Sequence, residues 1–339
     1  MTGMSRLART SFAALLALAA LAPWETARAT GTTEADGLRM LARAHAAAQS
    51  LSYSGTFVHQ RGLDVRSLRI AHQRSANGTL EKLESLDGPP SETVRRGERR
   101  LTYLPQQRRI LIGDRESGPS FPGLHALDAQ RLTAHYRLRW LGAEQVAGRM
   151  SSAWALEPRD TLRYGYRFWA DTASGLLLRA QTISEKAEVV EQAAFSQLSL
   201  GPLPATRLNA STRDTRGWRT VDLSGRPADA MTVAAWRLGW LPPGFQPAGT
   251  WVRKLAPASH RDDGERQLLQ FLYSDGLAGL SIFIEPWSAE RSARPAQQGA
   301  LNMVGKRHGK FWLTIVGEVP MLAIRQIADA IEFKEAARR

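Results

Sequence analysis

The residues able to do chemistry are scattered. The seven histidines, His45, His59, His72, His125, His135, His260 and His308, include no two at metal-ligand spacing. His59 and His72 fall on neighbouring predicted strands and are the one pair a hairpin could bring together; packed, hydrogen-bonded histidines are the plainer expectation. The carboxylates Glu157, Asp160, Asp171 and Glu191 crowd one stretch. A carboxylate pair could do acid–base work, but turn positions and exposed strand faces explain them more simply. No G-x-S-x-G elbow, H-E-x-x-H, Walker loop or G-x-G-x-x-G occurs. The chain has no cysteine, which excludes disulfides, thiolate metal sites and cysteine nucleophiles together. The expectation is a protein that is not an enzyme, with no cofactor and no metal.

Two patterns point to binding instead. In Arg163-Tyr-Gly-Tyr-Arg-Phe-Trp169, alternation puts Tyr164, Tyr166 and Phe168 on one strand face. On a curved sheet that face is concave, to be filled by core packing or left as an apolar cavity. The second pattern is basic: Arg95, Arg96, Arg99, Arg100, Arg108 and Arg109 crowd two successive hairpins. Strand neighbours face opposite ways, so about half can share a face or rim, where guanidinium forks suit carboxylates and phosphates.

The elements that must position these residues fall into three blocks. Residues 1–29 have the order of a secretory signal: Arg6 and Arg9, the apolar run Phe12 to Ala22, Pro23, and the small-residue site Ala27-Arg28-Ala29. That run is too short for the ~20 residues a spanning helix needs, so cleavage after Ala29 and a periplasmic mature chain are expected. The net charge is +13, and the signal holds three Arg and one Glu, so the mature chain keeps +11. That balance favours an anionic partner, and export argues against nucleic acid.

Residues 30–201 open on a helix, Thr33 to Leu51, with capping-box spacing at Thr33 and Asp36. Period-two segments then alternate with Gly, Pro and Asp turns up to Leu198, with a short helix near Asp128 to Tyr136. Many antiparallel strands behind one long helix predict a large sheet that curls. Residues 202–230 lack periodicity and are expected to be a linker. Residues 231–339 predict a small α+β domain: a hairpin over Ser274-Asp275-Gly276, strands flanking Lys306 to Lys310, and a closing helix with Pro320 at its first position. The fold class is mainly β with α.

Several long stretches resemble the RseB/MucB family. They are Leu51 to Gly62, Glu81 to Pro90, Glu157-Pro-Arg-Asp160, Arg163 to Trp169, Thr172 to Thr182, Tyr273 to Leu277, Ser281 to Pro286 and Val316 to Pro320. The resemblance runs from about Leu38 to Phe333, and the linker departs most. It implies an N-terminal domain similar to the lipoprotein carriers LolA and LolB, an unclosed antiparallel β-barrel with helices, followed by a smaller domain. It further implies a periplasmic regulator that binds the periplasmic segment of a RseA/MucA-type anti-sigma factor and shields it from site-one proteolysis, with release by lipopolysaccharide or related lipids. On that reading Phe57, Tyr164, Tyr166 and Phe168 line an acyl-chain cavity, and the six arginines are the candidates for a basic rim that meets an anionic ligand or the partner. Tyr273, Ser274, Asp275 and Gly276 form a partner-binding hairpin. A homo-oligomer is left open. The rival reading is a lipid carrier, which has no evident need for residues 231–339.

Overall fold

The computed structural model describes residues 32–75, 78–97, 99–114, 121, 128–210, 214–254, 267–289, 291 and 293–334. The expected signal segment lies outside the described residues. So do His125, His260 and the side chain of Asp114.

The opening helix, α1 (Glu34–Ser50), starts where the capping box was expected. Thr33 accepts from the Asp36 amide, and the Asp36 carboxylate accepts from the Thr33 amide. Its buried stripe is Gly37, Met40, Leu41, Ala44, Ala47 and Ala48. Six strands follow: β1 (Tyr53–Arg61), β2 (Asp64–Ser75), β3 (Gly78–Ser85), β4 (Glu92–Arg96), β5 (Arg99–Leu104) and β6 (Arg109–Asp114). After the short α2 (Ala129–His135) come β7 (Tyr136–Val146), β8 (Arg149–Pro158), β9 (Gly165–Asp171), β10 (Leu177–Ile183) and β11 (Val189–Leu200).

These strands form one sheet in the order β6-β5-β4-β3-β2-β1-β11-β10-β9-β8-β7, antiparallel throughout, because each is joined to the next by a tight turn except where β1 meets β11. β7 is an end strand, so the sheet is an unclosed barrel rather than a ring. The helix fills its concave side. Met40, Leu41 and Ala44 pack on Leu138, Trp154, Leu156, Tyr166, Phe168 and Leu177, while Ala47 and Ala48 pack on Tyr53, Phe57, Ile70 and Phe195. Gly37 is the point of closest approach: a Cβ there would fall 2.7 Å from Leu138 and 2.8 Å from Trp154.

The segment between the two blocks does more than connect them. It supplies β12 (Arg219–Asp222), which pairs parallel to β6 and extends the first sheet, and β13 (Gly225–Pro227), which opens the second. Its earlier half packs on the convex face: Leu208 is buried, the Leu203 amide donates to Gln73, and Arg96 donates to Asn209.

Next come α3 (Ala230–Ala234), β14 (Trp236–Leu238), β15 (Gln246–Lys254), β16 (Gln267–Ser274), β17 (Gly279–Pro286), β18 (Ala296–Gln298), β19 (Leu301–His308), β20 (Phe311–Gly317), α4 (Met321–Asp329) and β21 (Ile331–Phe333). Six of these strands join β13 in a second sheet, ordered β13-β15-β16-β17-β20-β19-β18, and β14 pairs with β21. The apolar stripe Ala323, Ile324, Ile327 and Ala328 of α4 closes over Leu280, Ile282, Leu313 and Ile315. Pro320 is the residue before this helix rather than its first position; its ψ of 148° is extended, and the helix begins at Met321.

Candidate functional site

The four clustered carboxylates do not meet. Each is held by its own arginine: Glu157 by Arg137 and Arg139, Asp160 by Arg163, Asp171 by Arg149, and Glu191 by Arg61. Nor do His59 and His72 meet. His59 lies opposite Arg66 and His72 opposite Tyr53, toward opposite ends of the β1–β2 hairpin. His59 Nε2 is 2.8 Å from Glu191, and His72 stacks on Tyr53 with its Nδ1 3.0 Å from the Leu51 carbonyl. Among the described residues no group of three or more His, Asp or Glu could hold a metal ion.

The aromatic residues occupy two environments. Tyr166 and Phe168 stack at 5.8 Å between ring centroids beneath α1, and Phe57 packs against Phe195 and Phe121. All three are buried. Tyr164 sits just before β9 and turns toward the second sheet, where Asn302 Nδ2 donates to its hydroxyl at 2.8 Å. The concave face beyond the helix holds a cleft of about 340 Å³. Its lining includes His59, Arg66, Leu68, Ser85, Pro89 and Leu104. Leu68 lies directly opposite Phe57, so the cleft adjoins the buried aromatic layer.

The strand register sorts the arginines. Tyr53, His72, Glu81, Arg95, Arg100 and Gly113 are successive partners across β1 to β6. Directly opposed residues project to one face. Tyr53 lies in the core under α1, so Arg95 and Arg100 are concave, as is Arg109 opposite Leu104. Arg95 donates to Glu81 at 2.8 Å. Burial, then the neighbouring Arg95 charge, pull the Arg100 guanidinium below its ordinary value. Arg96 and Arg99 oppose each other on the convex face, and Arg108 occupies a left-handed turn at φ 49°.

The expected partner hairpin is engaged within the chain. Ser274 and Asp275 cap the β16–β17 turn, with Asp275 Oδ1 accepting from the amides of Leu277 and Ala278. The other oxygen, Oδ2, accepts from Arg163 Nη1 at 3.0 Å and from the Tyr136 hydroxyl at 3.1 Å. Arg163 also reaches Asp160 through Nε and the Pro243 carbonyl through Nη2. Both partners are nearly inaccessible, Arg163 at 0% and Asp275 at 1% side-chain exposure. Burial opposes the Arg163 charge, but the Asp160 hydrogen bond and the surrounding Tyr136, Asp160 and Asp275 raise its pKa overall. Burial and the Asp275 carboxylate push the Tyr136 phenol well above its usual range. Tyr273 and Gly276 are partly exposed beside this lock.

A second junction lies at the β1–β2 turn. Gly299, at φ 59°, sits against Arg61 and the Val190 carbonyl, where a Cβ would fall 2.5 Å from Arg61 Cγ. Nearby, Glu191 is pulled below its ordinary range: burial opposes this, and hydrogen bonds from His59 and Arg61 outweigh it. Glu318 is pushed up by burial and by the Glu191 charge. A carboxyl whose folded pKa is raised is stabilising only while protonated, and the benefit is lost as pH rises through that pKa. Glu318→Gln is therefore expected to be more stable than the parent at pH 7, with the difference vanishing below about pH 4, where both carry a neutral group. Urea midpoints at the two pH values check this; an equal or lower midpoint for the variant at pH 7 contradicts it.

Two sheets joined through a buried Arg–Asp pair make a two-part, mainly β protein whose first part is an unclosed barrel. The family model for the MucB/RseB N-terminal domain matches residues 36–215, and that for the MucB/RseB C-terminal domain matches residues 231–332. The chain belongs to the MucB/RseB family. It is 31% identical to the sigma factor AlgU regulatory protein MucB of Pseudomonas aeruginosa, over 91% of this chain and 94% of that protein. It is 27% identical to the sigma-E factor regulatory protein RseB of Escherichia coli K12, over 88% and 91%. Among solved structures, MucB in complex with MucA(peri) superposes with a TM-score of 0.66 at 30% identity, covering 90% of this chain and all of that one. The Pseudomonas aeruginosa MucA/MucB complex gives 0.68 at 29%, covering 89% and all of that chain.

Proposed function

We propose that this chain is a non-enzymatic periplasmic regulator of a sigma-E (AlgU-type) response. It binds the periplasmic segment of a membrane anti-sigma factor of the RseA/MucA type and shields it from site-one proteolysis. The observation that carries this reading is the match, across both sheets and nearly the whole chain, to MucB in complex with MucA(peri). The excess of positive charge suits an acidic segment of the partner.

Lipid relieves the shielding in this proposal. Acyl chains enter by the cleft at Leu68 and Leu104 and extend toward Phe57, Tyr166 and Phe168, with Arg95, Arg100 and Arg109 on the same concave face near the lipid's phosphates. Tyr164 belongs to the junction between the sheets, as does the Asp275 hairpin, and Tyr273 and Gly276 are the members of that hairpin left for a partner. Lipid releases the partner only if it binds the partner-free state more tightly, and a tenfold loss of partner affinity needs about 1.4 kcal/mol of that difference.

A protection assay tests the reading. A RseA/MucA-type periplasmic segment is incubated with its site-one protease, with and without the mature chain, and then with lipopolysaccharide added. The expected result is slow cleavage in the presence of the chain and restored cleavage with lipopolysaccharide. Cleavage at the same rate with and without the chain would overturn it.

A further inference from the structure

The strands of the second sheet run between two different poles. At one pole lie the Asp275 turn, which Arg163 engages, and Asn302, whose Nδ2 donates to the Tyr164 hydroxyl and to the Val319 carbonyl. At the other lie Trp287, just beyond the end of β17, His308 at the end of β19 and Phe311 at the start of β20. Seven- and eight-residue strands set the two poles about 25 Å apart. The second pole is therefore far from the junction with the barrel.

Its composition is unusual for a strand end. Trp236, Phe311 and Phe333 form a ring cluster with centroids 4.8 to 5.0 Å apart, and His308 borders it at 6.1 Å. Trp287 is exposed, with the Arg307 guanidinium 3.9 Å from its ring centroid. Lys310 Nζ is 5.5 Å from the Phe311 ring centroid, and Lys334 follows Phe333. Arg307, Lys310 and Lys334 are all exposed, and no carboxylate pairs with them among the described residues. Among the described residues, the nearby carboxylates pair with other cations: Glu332 with Arg237, Glu285 with Arg291 and Asp329 with Lys306.

We propose that this pole is a docking surface for an anionic bilayer, with Trp287 at the headgroup level and Arg307, Lys310 and Lys334 on the phosphates. Charge complementarity selects the occupant's sign. The pairing of exposed tryptophan with long basic side chains selects an interface over an acidic protein, because an amphipathic ring and snorkelling cations suit the boundary between headgroup and acyl chain. Basic residues near an anionic membrane each add to attraction that decays within a Debye length, so the association is salt-sensitive. Docking there leaves the junction with the barrel at the opposite pole, about 25 Å from the membrane. The inference stands apart from the proposed partner, since it needs no anti-sigma factor.

Co-sedimentation of the mature chain with vesicles tests it, using phosphatidylglycerol mixed with phosphatidylethanolamine against phosphatidylcholine alone. The expected result is binding to the anionic vesicles only, weakened by salt and reduced about tenfold or more in R307A/K310A. W287A is expected to weaken binding at unchanged charge. R137A/R139A, which removes the same charge from β7, is expected to bind like the parent. These residues are exposed, so unchanged circular dichroism and melting temperature accompany the losses. Equal binding to phosphatidylcholine, parental binding by R307A/K310A, or equal weakening in R137A/R139A would each overturn the proposal. So would capture of polyglutamate with anionic vesicles ignored, which would make the pole a protein surface.

Discussion

Arg163→Ala is expected to lower the stability of the mature chain by about 3–5 kcal/mol, the range for breaking a buried ion pair by removing one partner. The magnitude follows from what is left behind. Asp275 remains buried with its Oδ2 held only by Tyr136, in a place water does not reach. The Pro243 carbonyl loses its donor, and Tyr136 and Phe245 lose the guanidinium that packs on them. Arg163→Lys keeps the charge but not the fork that reaches Asp160, Asp275 and Pro243 together, so it falls between the parent and the alanine variant. Urea denaturation measures both; a loss under 1 kcal/mol for Arg163→Ala would show that the two sheets are not locked here. The same geometry bears on the carrier reading. Deleting residues 231–339 removes Asp275 and Pro243 and leaves Arg163 at a bare surface, so lost function in that truncation would mix instability with mechanism. The carrier question is better put to the full chain.

Phe57→Ala is expected to cost about 3–5 kcal/mol, as large-to-small changes of buried aromatics do. The ring is 4% exposed and touches Phe195 and Phe121 at centroid distances of 5.8 and 5.2 Å. It also lies in the layer that Ala47 and Ala48 of α1 cover. The prediction separates two roles for one residue. If Phe57 is core, its truncation destabilises the free protein, and lipid reaches it only by extending the cleft at Leu68. If it lines an open cavity in the free protein, truncation removes little packing and the cost stays under 1 kcal/mol. Denaturation of the lipid-free variant decides between them.

Most hairpins were legible because both signals were local. Period-two segments mark most of them, and the turns at Gly62, Asp87 to Pro90, Gly97, Pro105 and Thr172 to Gly175 carry Gly, Pro or Asp, while the β10–β11 turn is polar without them. β15 escaped notice because its burial never alternates cleanly and Pro247 and Gly249 interrupt it. β12, β13, β18 and β21 are three or four residues long, too short for any period to register. That is why residues 202–230 looked like a linker although they add a strand to each sheet.

The site was harder to read. Ser274-Asp275-Gly276 was identified as a turn, and Asp275 does cap it, but one of its oxygens reaches an arginine 112 residues away in sequence. No local pattern reveals such a pair. A fully buried arginine cannot be told from a solvated one until its partner is placed. The Arg95 and Arg100 side chains share a face because of a register running through six strands, while Arg96 and Arg99 fall on the other side. Sequence alternation foretold that split without telling which half faced inward.

The central claim is occupation of another polypeptide, and the most direct measurement is a titration. The mature chain is added to a fluorescently labelled periplasmic segment of a RseA/MucA-type anti-sigma factor, and anisotropy is followed to saturation. The account predicts a saturable rise with a defined stoichiometry, reversed by unlabelled segment. A flat anisotropy across the whole titration, from a chain that melts cooperatively, would contradict it.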